Sequence, residues 1–562
     1  MPSVRTRVLV LAAVLFTAVG TSAHAQGGRD WAGSTLDRMT LEEKVGQLFM
    51  VQVPGRVAAD FEETIERYHV GGVIYFNFNE NIPVPLDARR VQDLSNGIQR
   101  IARRRRVPVP LLIATDQEGG LVGRVTEPGT VFPGAMALGA TRSAGFARQA
   151  ARATAVELRA LGISMNFAPV VDVNVAPANP VIGIRSFGED PELVSRLGAA
   201  QVRGYERAGV AATAKHFPGH GDTAVDSHFG LPIITHDRAT LDRVDLAPFR
   251  AAIAAGADAV MTAHIVVPAL DPSGLPATLS RPILTGLLRA ELGFRGLIVT
   301  DSLDMSGANV LPPERVPVEA FKAGADVLLN PPDVGLAYRS VLAAVRSGEI
   351  AERRVDASVR RILRLKQERG LVRRPLVRPR ALRVIGDPAH RALAAGIADR
   401  SITVLDDGAG VLPLPAGARL LVTGPPAASP GLLATELADR GVRADAAPAS
   451  TAPTEAEIAA AVERAGGADA VLVATSNATA GEAQQRLVRA LAATGRPLIV
   501  AAMRNPYDIS ALDGVDAYVA AYGARAVNVR ALARVLTGQA PPRGLLPVTI
   551  PGHFPYGAGL TR

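Results

Sequence analysis

The chain has 562 residues, no cysteine, 61 lysines and arginines against 53 aspartates and glutamates, and 48% hydrophobic residues. This length allows two to four domains with cores of their own, and the composition is that of a folded protein rather than a disordered one. The lack of cysteine excludes disulfides, cysteine–zinc sites and thiolate nucleophiles.

The net charge of +8 does not by itself indicate a nucleic-acid partner. Only four of the basic residues are lysines, so the excess reflects an arginine-rich composition of the whole chain. Aromatic residues that would stack on bases make up 4% of the chain, and no basic stripe alternates with them. The longest basic run, Arg103–Arg106, is best explained as the solvated end of a helix. We therefore expect no nucleic-acid partner.

The N-terminus has the pattern of a secretory signal peptide. Arg5 and Arg7 precede an apolar run, Val8–Val19, and small residues follow it up to Ala23–Ala25. The apolar run is too short to cross a bilayer comfortably. We expect residues 1–25 to be removed, leaving an exported periplasmic or extracellular protein without an integral membrane segment. The alternative is a retained N-terminal anchor.

From about residue 40, short apolar runs alternate with helix-length segments. The runs are apolar on both faces, which is typical of a parallel sheet covered by helices. Eight such runs in roughly 330 residues predict an α/β fold of the (β/α)8 TIM-like barrel type. The predicted strands are Gln47–Val53, Val70–Phe76, Leu111–Thr115, Ile163–Ala168, Val210–Ala214, Asp258–Ala263, Leu297–Thr300 and Asp326–Asn330.

The composition changes after an arginine-rich helical segment, Val355–Arg369. We place the barrel at residues 30–370, a proline- and arginine-containing linker at 371–384, and a smaller open α/β sandwich domain at 385–562. The second domain contains no glycine-rich phosphate fingerprint, and we expect no cofactor. Its predicted strands are Ile402–Leu405, Arg419–Thr423, Ala470–Ala474, Leu498–Met503 and Ala517–Ala521.

Two segments of the second domain lack a regular pattern. Ala446–Thr454 is rich in alanine, proline and threonine and is predicted to be a surface loop. The chain from Pro541 onward is predicted to be a largely extended tail.

Polar side chains follow the predicted barrel strands. Functional groups of a parallel barrel gather at the carboxyl ends of its strands, and charges there are costly unless they are used or paired. Several such groups on one rim therefore indicate a site. The residues concerned are Asp116, Gln117 and Glu118 after the third strand, Asp172 after the fourth, Lys215 and His216 after the fifth, His264 after the sixth and Asp301 after the seventh.

The segment Lys215–His228 contains three of the nine histidines. Its spacing matches no common zinc set, and its glycines and proline prevent a helix that would align His220 with His228, so we expect no metal. Asp226 and His228 are two residues apart, so a turn can place the carboxylate against the imidazole. Such a pair makes an acid/base group that works near neutral pH. The alternative is a loop histidine with a solvated neighbour.

Lys215–His228 resembles the signature loop of bacterial β-N-acetylglucosaminidases of glycoside hydrolase family 3. Asn179–Gly188, Asp116–Gly120 together with Arg124, and Val299–Met305 resemble other motifs of that family. The resemblance covers the barrel from about residue 38 to 370 and extends more loosely through the second domain.

The resemblance implies a retaining exo-β-N-acetylglucosaminidase that acts on peptidoglycan fragments or chitooligosaccharides without a metal or an organic cofactor. It implies that Asp301 is the nucleophile and that His228 is the acid/base, with Asp226 as its partner. We expect a carbohydrate substrate and a monomer. The residues that the resemblance assigns to the sugar in the −1 subsite are Asp116, Arg124, Arg185, Lys215 and His216.

Two positions depart from the family pattern. Leu121 stands where the family often has arginine, and Ser302 and Asp304 alter the usual Asp-Asp-Leu-Ser-Met motif. We assign Asp304 a supporting role. Three alternatives stay open: a β-glucosidase or β-xylosidase with a glutamate from the second domain, a phosphorylase, and a non-catalytic glycan-binding protein. A phosphorylase is considered because a histidine donor does not repel phosphate.

Overall fold

The computed structural model of the protein describes residues 30–561. They form an eight-stranded parallel sheet, followed by a separate sheet of six strands. This confirms the predicted fold class, a TIM-like barrel followed by a smaller α/β domain. The predicted signal peptide, residues 1–25, lies outside the described residues.

The barrel strands are almost completely buried, which explains their apolar sequences on both faces. Each strand pairs in parallel with the next along the chain, and β1 also pairs with β8. A parallel bridge between Val299 and Val327 closes the barrel between β7 and β8. All eight predicted strands are confirmed. Their bounds are β1 Phe49–Gln52, β2 Gly72–Ile74, β3 Leu112–Thr115, β4 Met165–Asn166, β5 Ala211–Phe217, β6 Ala259–Thr262, β7 Leu297–Val299 and β8 Leu328–Leu329.

Helices connect the barrel strands and cover the barrel. Side-chain caps fix where several begin: the carboxylate of Asp87 accepts the Arg90 amide of α4, and Asp190 caps α7, which starts with proline. A π-helix, Pro282–Glu291, connects β6 to β7. The α-helices of the barrel are α1 Trp31–Leu36, α2 Leu41–Gln47, α3 Glu62–Tyr68, α4 Ala88–Arg104, α5 Ala135–Ala140, α6 Ala144–Ala160, α7 Pro191–Arg207, α8 Arg238–Thr240, α9 Ala247–Ala254, α10 Arg315–Ala323, α11 Val334–Arg346 and α12 Glu352–Glu368.

The basic run Arg103–Arg106 lies at the end of α4, as predicted. Arg104 forms an ion pair with Glu62, and Arg106 forms one with Glu43. Neighbouring carboxylates therefore partner these arginines. Among the helices of residues 30–561, none combines the length and hydropathy needed to cross a membrane.

The second sheet has the strand order β11-β10-β12-β13-β14-β9, and only β9 runs antiparallel to its neighbour. Helices lie between most of its strands, and a short 3-10 helix, Pro379–Val384, precedes the sheet in the predicted linker. The strands are β9 Thr403–Asp406, β10 Arg419–Gly424, β11 Arg443–Pro448, β12 Ala470–Thr475, β13 Leu498–Ala502 and β14 Ala517–Ala520. The helices are α13 Pro388–Ser401, α14 Pro430–Ala438, α15 Glu455–Ala465, α16 Glu482–Ala492 and α17 Ala526–Leu536.

The strand β11 corrects one prediction. Residues 446–448 were expected in a loop but pair in parallel with β10. Alanine, arginine, aspartate and proline have weak strand preferences, and β11 is a half-exposed edge strand, so no apolar pattern marks it. Main-chain pairing with β10 forms this strand.

The second domain packs against barrel loops that follow β3 and β4. The Asn505 side chain accepts the Ile184 amide at 3.0 Å, and the Asn174 side chain donates to the Tyr507 hydroxyl at 3.1 Å. Arg525 donates to the carbonyl of Gly120 at 3.0 Å. The second domain therefore supports the loops that carry several candidate site residues.

Candidate active site

The carboxyl ends of the barrel strands bring the predicted residues to one end of the barrel. Asp116 follows β3, Lys215 and His216 belong to β5, and Asp301 follows β7. Parallel strands end at the same edge of a barrel, so these side chains converge although they are far apart in sequence.

An ion-pair network forms the floor of the site. The Lys215 ammonium lies 2.8 Å from Asp116 Oδ1 and 2.9 Å from Glu118 Oε1. Arg185 donates to both oxygens of Glu118, at 2.8 and 2.9 Å. Such a bidentate contact fixes the guanidinium plane. Three of the predicted sugar-binding residues are therefore held by one another and by Glu118.

Opposite charges in this network shift the pKa values of Glu118 and Lys215. Burial by itself raises the pKa of Glu118, but the charges of Arg185 and Lys215 outweigh it and place that pKa far below its usual range. Burial lowers the pKa of Lys215, yet Asp116 and Glu118 raise it overall. The neighbouring charges therefore favour the ionised forms of Glu118 and Lys215.

His216 is oriented by a carboxylate beneath it. Its Nδ1 lies 2.7 Å from Asp172 Oδ2, and its Nε2 lies 3.4 Å from an Arg185 nitrogen. The fully buried Asp172 also accepts the main-chain amides of His216 and His220, at 3.1 and 2.8 Å. Burial raises the pKa of Asp172, but the contact with His216 lowers it overall. An ionised Asp172 accepts a hydrogen from Nδ1 and leaves Nε2 facing the site.

Asp301 has one carboxylate oxygen engaged and one available. Its Oδ1 accepts the Ser302 amide at 2.8 Å, and no described group hydrogen-bonds to Oδ2. Burial raises its pKa, but the imidazoles of His216 and His264 and the ammonium of Lys215 lower it below the usual range. Asp301 is thus an ionised carboxylate with a free oxygen, as a nucleophile requires.

Arg124 lies at the edge of the network. Its Nη2 is 3.8 Å from Asp116 Oδ2, and its guanidinium carbon lies 5.3 Å from the centre of the Phe76 ring. A guanidinium at this distance from an aromatic face is stabilised by cation–π attraction. Arg124 is therefore positioned beside the carboxylate of Asp116.

The structure brings the side chains of Asp226 and His228 together. His228 Nδ1 lies 2.6 Å from Asp226 Oδ1, which also accepts the His228 amide at 2.9 Å. Burial raises the pKa of Asp226, but these two hydrogen bonds lower it overall. Because an ionised carboxylate only accepts, Nδ1 carries a hydrogen, and Nε2 is the nitrogen that can exchange a proton. The His228 side chain is 54% exposed, so it is accessible from solvent.

The loop that carries this pair packs on the segment after Asp301. The Gly307 amide donates to the Ser227 carbonyl at 3.0 Å, and the Ser306 amide donates to the His228 carbonyl at 3.4 Å. A Cβ at position 307 would lie 2.9 Å from a main-chain oxygen of the loop, so glycine permits this approach. The loop that carries the imidazole is thereby held against the segment that follows Asp301.

Three supporting roles were missed by the sequence analysis, although their residues were noted at strand ends. Glu118 pairs with two cations, and Asp172 orients a histidine. His264 lies 2.9 Å from the Ser302 carbonyl and 2.8 Å from the Thr278 hydroxyl, next to Asp301. The sequence shows that these residues follow barrel strands, but it does not show which side chains they contact.

Asp304 is exposed and lies at the edge of the site. It accepts one long hydrogen bond, 3.4 Å, from Gln52. Within residues 30–561, no group of three or more histidine, aspartate and glutamate side chains could hold a metal ion.

Comparison with known proteins assigns the family. Residues 40–365 match the glycosyl hydrolase family 3 N-terminal domain, and residues 402–556 match the family 3 C-terminal domain. The chain therefore belongs to glycosyl hydrolase family 3. It is a glycoside hydrolase of the β-N-acetylhexosaminidase class, as the following relatives indicate.

Two relatives named as a hexosaminidase or a glucosaminidase, and one named as a phosphorylase, match over most of the chain. A β-hexosaminidase A from Pseudoalteromonas piscicida is 36% identical, over 87% of this chain and 91% of its own. The structure of a family 3 β-N-acetylglucosaminidase from Paenibacillus sp. str. FPU-7 is 43% identical, with a TM-score of 0.85 over 91% of this chain and 99% of its own. A β-glucoside phosphorylase, BglX, is 26% identical, with a TM-score of 0.81 over 92% of this chain and 96% of its own.

Proposed function

We propose that the protein is a retaining exo-β-N-acetylglucosaminidase that releases terminal N-acetylglucosamine from peptidoglycan fragments or chitooligosaccharides. The Asp226–His228 pair, packed on the segment that follows Asp301, is the observation that carries this proposal. A proton donor, here His228, and a nucleophilic carboxylate, here Asp301, are the two groups that retaining glycoside hydrolysis requires. The names of the two relatives above support the N-acetylglucosamine specificity.

The first chemical step forms a glycosyl-enzyme. Oδ2 of Asp301 attacks the anomeric carbon, and the bond from that carbon to the leaving oxygen breaks. The proton on Nε2 of His228 passes to the leaving oxygen, and Asp226 stabilises the imidazolium before transfer. Lys215, Arg185 and the network around them position the sugar hydroxyls.

The second step releases the sugar. Nε2 of His228 takes a proton from water as the water oxygen attacks the anomeric carbon, and the bond to Asp301 breaks. The carboxylate and the protonated imidazole are regenerated. Two displacements at the same carbon retain its configuration.

A β-glucosidase or β-xylosidase that uses a glutamate of the second domain is less well supported. Each glutamate of that domain lies on helix α14, α15 or α16, and none forms an ion pair or hydrogen bond with the barrel network. The loop histidine already supplies a donor.

A phosphorylase is the second candidate, and two observations favour it. The donor is an imidazole, which does not repel a phosphate nucleophile as a carboxylate would. One similar structure is a β-glucoside phosphorylase. Comparing rates with and without inorganic phosphate, and testing for sugar-1-phosphate, separates phosphorolysis from hydrolysis.

The surroundings of the reaction follow from the sequence patterns. We propose export to the periplasm or beyond, with residues 1–25 removed, and a monomer built from domains 30–370 and 385–562. A signal-like N-terminus and a carbohydrate substrate of the cell wall are consistent with each other. Export also favours hydrolysis. Phosphorolysis conserves the energy of the glycosidic bond in a sugar phosphate, and an exported enzyme would release that product outside the cytoplasm.

The test is hydrolysis of a chromogenic N-acetyl-β-glucosaminide, with the product anomer followed by NMR. We expect β-N-acetylglucosamine to appear first, and a 2-acetamido glycosyl adduct on Asp301 to be detected by mass spectrometry of a slowly hydrolysed fluoro-sugar substrate. An α-anomer as first product would refute retention, and folded protein inactive on both N-acetylglucosaminide and glucoside would refute the function.

A further inference from the structure

Exposed apolar side chains are concentrated at the catalytic end of the barrel. Ten large hydrophobic residues are exposed among residues 30–561. Eight of them lie in the loops after β1, β2, β3, β5 and β7, whereas the other two lie in the C-terminal segment. We name these eight the apolar rim: Val57, Phe78, Val84, Leu121, Val225, Phe229, Ile233 and Val310.

The position of the apolar rim indicates a binding surface. Single exposed apolar residues are normal, but a concentration around a substrate cleft marks a place where a ligand covers them. The two phenylalanines of the rim are also exceptional in this chain. Phe229 is 84% exposed and Phe78 is 69% exposed, whereas the other described phenylalanines are buried or half-buried.

Phe229 lies directly beside the proposed proton donor. Its ring centre is 6.3 Å from that of His228, and its amide donates to the Asp226 carbonyl at 3.0 Å. The same turn therefore presents the imidazole and the phenyl ring to solvent. Phe229 therefore lies beside the imidazole that is proposed to protonate the leaving group.

Phe78 lies next to residues of the sugar-binding network. Its ring stacks on Phe76, with ring centres 4.6 Å apart and an angle of 20° between the planes. The ring of Phe76 in turn supports the guanidinium of Arg124. Phe78 is thus a supported aromatic surface that continues from the sugar-binding network.

We propose that Phe229 and Phe78 bind the leaving-group sugar, a pyranose ring whose apolar C–H face packs on the exposed phenyl rings. This inference rests on the proposed glycosidase function and extends it to the aglycone side. The C–H face of a β-linked pyranose and a phenyl ring are both apolar, so their contact removes apolar surface from water. A small alkyl leaving group offers no such face.

The test compares two substrates of the purified full chain: N,N′-diacetylchitobiose, whose leaving group is a pyranose, and methyl N-acetyl-β-glucosaminide, whose leaving group is small. For Phe229→Ala we expect kcat/KM to fall about tenfold on chitobiose, mainly through KM, and about twofold on the methyl glycoside. Phe78→Ala should show the same selectivity, about fivefold. Phe229→Tyr keeps the ring and should restore chitobiose cleavage.

Leu560→Ala is the matched control, because Leu560 is exposed in the C-terminal segment and lies outside the apolar rim. It should leave both rates unchanged. Equal losses on both substrates in Phe229→Ala would show that Phe229 only positions His228, and unchanged rates in both phenylalanine variants would show that neither ring binds sugar; either result overturns the inference. Inactivity of the parent enzyme on both substrates would instead refute the proposed function.

Discussion

Buried carboxylates at the two ends of the barrel have different numbers of charged partners. At the catalytic end, Glu118 lies between two cations, Lys215 and Arg185. At the other end, Glu206 and Asp258 share a single cation: Arg369 Nε lies 2.6 Å from Asp258, and another Arg369 nitrogen pairs with Glu206. Glu118 is thus paired with two cations, whereas Glu206 and Asp258 have one cation between them.

The difference shows that partners, rather than burial, decide whether a carboxylate is charged. Burial raises the pKa of both Glu118 and Glu206. The two cations reverse this for Glu118, whereas the charge of Asp258 adds to it for Glu206. The two cations therefore hold the pKa of Glu118 far below its usual range, whereas burial and the charge of Asp258 raise the pKa of Glu206 to about 8.

Asp301→Asn removes the proposed nucleophile at the catalytic end, and we expect it to have the largest effect on activity. The amide has the same shape but no negative charge for attack, so kcat should fall by about 10³-fold or more. The measurement is hydrolysis of a chromogenic N-acetyl-β-glucosaminide by protein with an unchanged circular dichroism spectrum.

Asp301→Ala with added azide provides the control for this prediction. Azide can enter the space of the missing carboxylate and attack the anomeric carbon, giving a glycosyl azide of inverted configuration. An unreduced kcat in Asp301→Asn would assign the nucleophile to another residue.

Glu118→Gln breaks the charge balance of the catalytic end. Without this carboxylate, Asp116 alone faces Lys215 and Arg185, and the two cations repel each other. We expect kcat/KM to fall about 10²-fold and the free energy of unfolding to fall by about 3 kcal/mol, the cost of breaking a buried ion pair. Steady-state kinetics and urea denaturation measure the two effects. Activity within threefold of the parent would show that the network does not position the sugar.

Asp226→Asn tests a partly exposed carboxylate, whose partner is a histidine rather than a lysine or an arginine. Because an amide cannot stabilise the imidazolium, kcat should fall roughly 10- to 50-fold on chitobiose, whose leaving oxygen needs a proton. A 2,4-dinitrophenyl glycoside needs no protonation and should be cleaved at nearly the parent rate in its first step. Equal losses on both substrates would contradict a role in proton donation.

The parts of this comparison that depend on local patterns can be predicted from the amino-acid sequence. The barrel strands are apolar on both faces because both faces are buried, so all eight were found. Lys215 and Asp301 were found because they end such strands, and Asp226 and His228 because they are two residues apart. Arg185 was assigned from the family resemblance alone.

Contacts between distant segments could not be predicted in this way. Glu118 is 67 residues from Arg185, and the Asn505 side chain reaches Ile184 across 321 residues. The strand Arg443–Pro448 was missed because its stability depends on pairing with a neighbour rather than on apolar side chains. The charge balance at each end of the barrel is a property of such distant contacts.

Glu206→Gln sharpens the comparison from the other end of the barrel, with the smallest expected effect on activity. Glu206 lies far from the catalytic residues, so kcat/KM should stay within twofold of the parent.

The raised pKa of Glu206 means that the folded state binds a proton that the unfolded state releases. This contribution to stability is complete below the ordinary glutamate pKa and is lost as the pH rises through the raised value. Between about pH 5 and about pH 9, the parent should therefore lose about 1–3 kcal/mol more of its free energy of unfolding than the variant, which has no proton to lose. Urea denaturation at both pH values measures the difference, and parallel losses in parent and variant would show that Glu206 is already ionised.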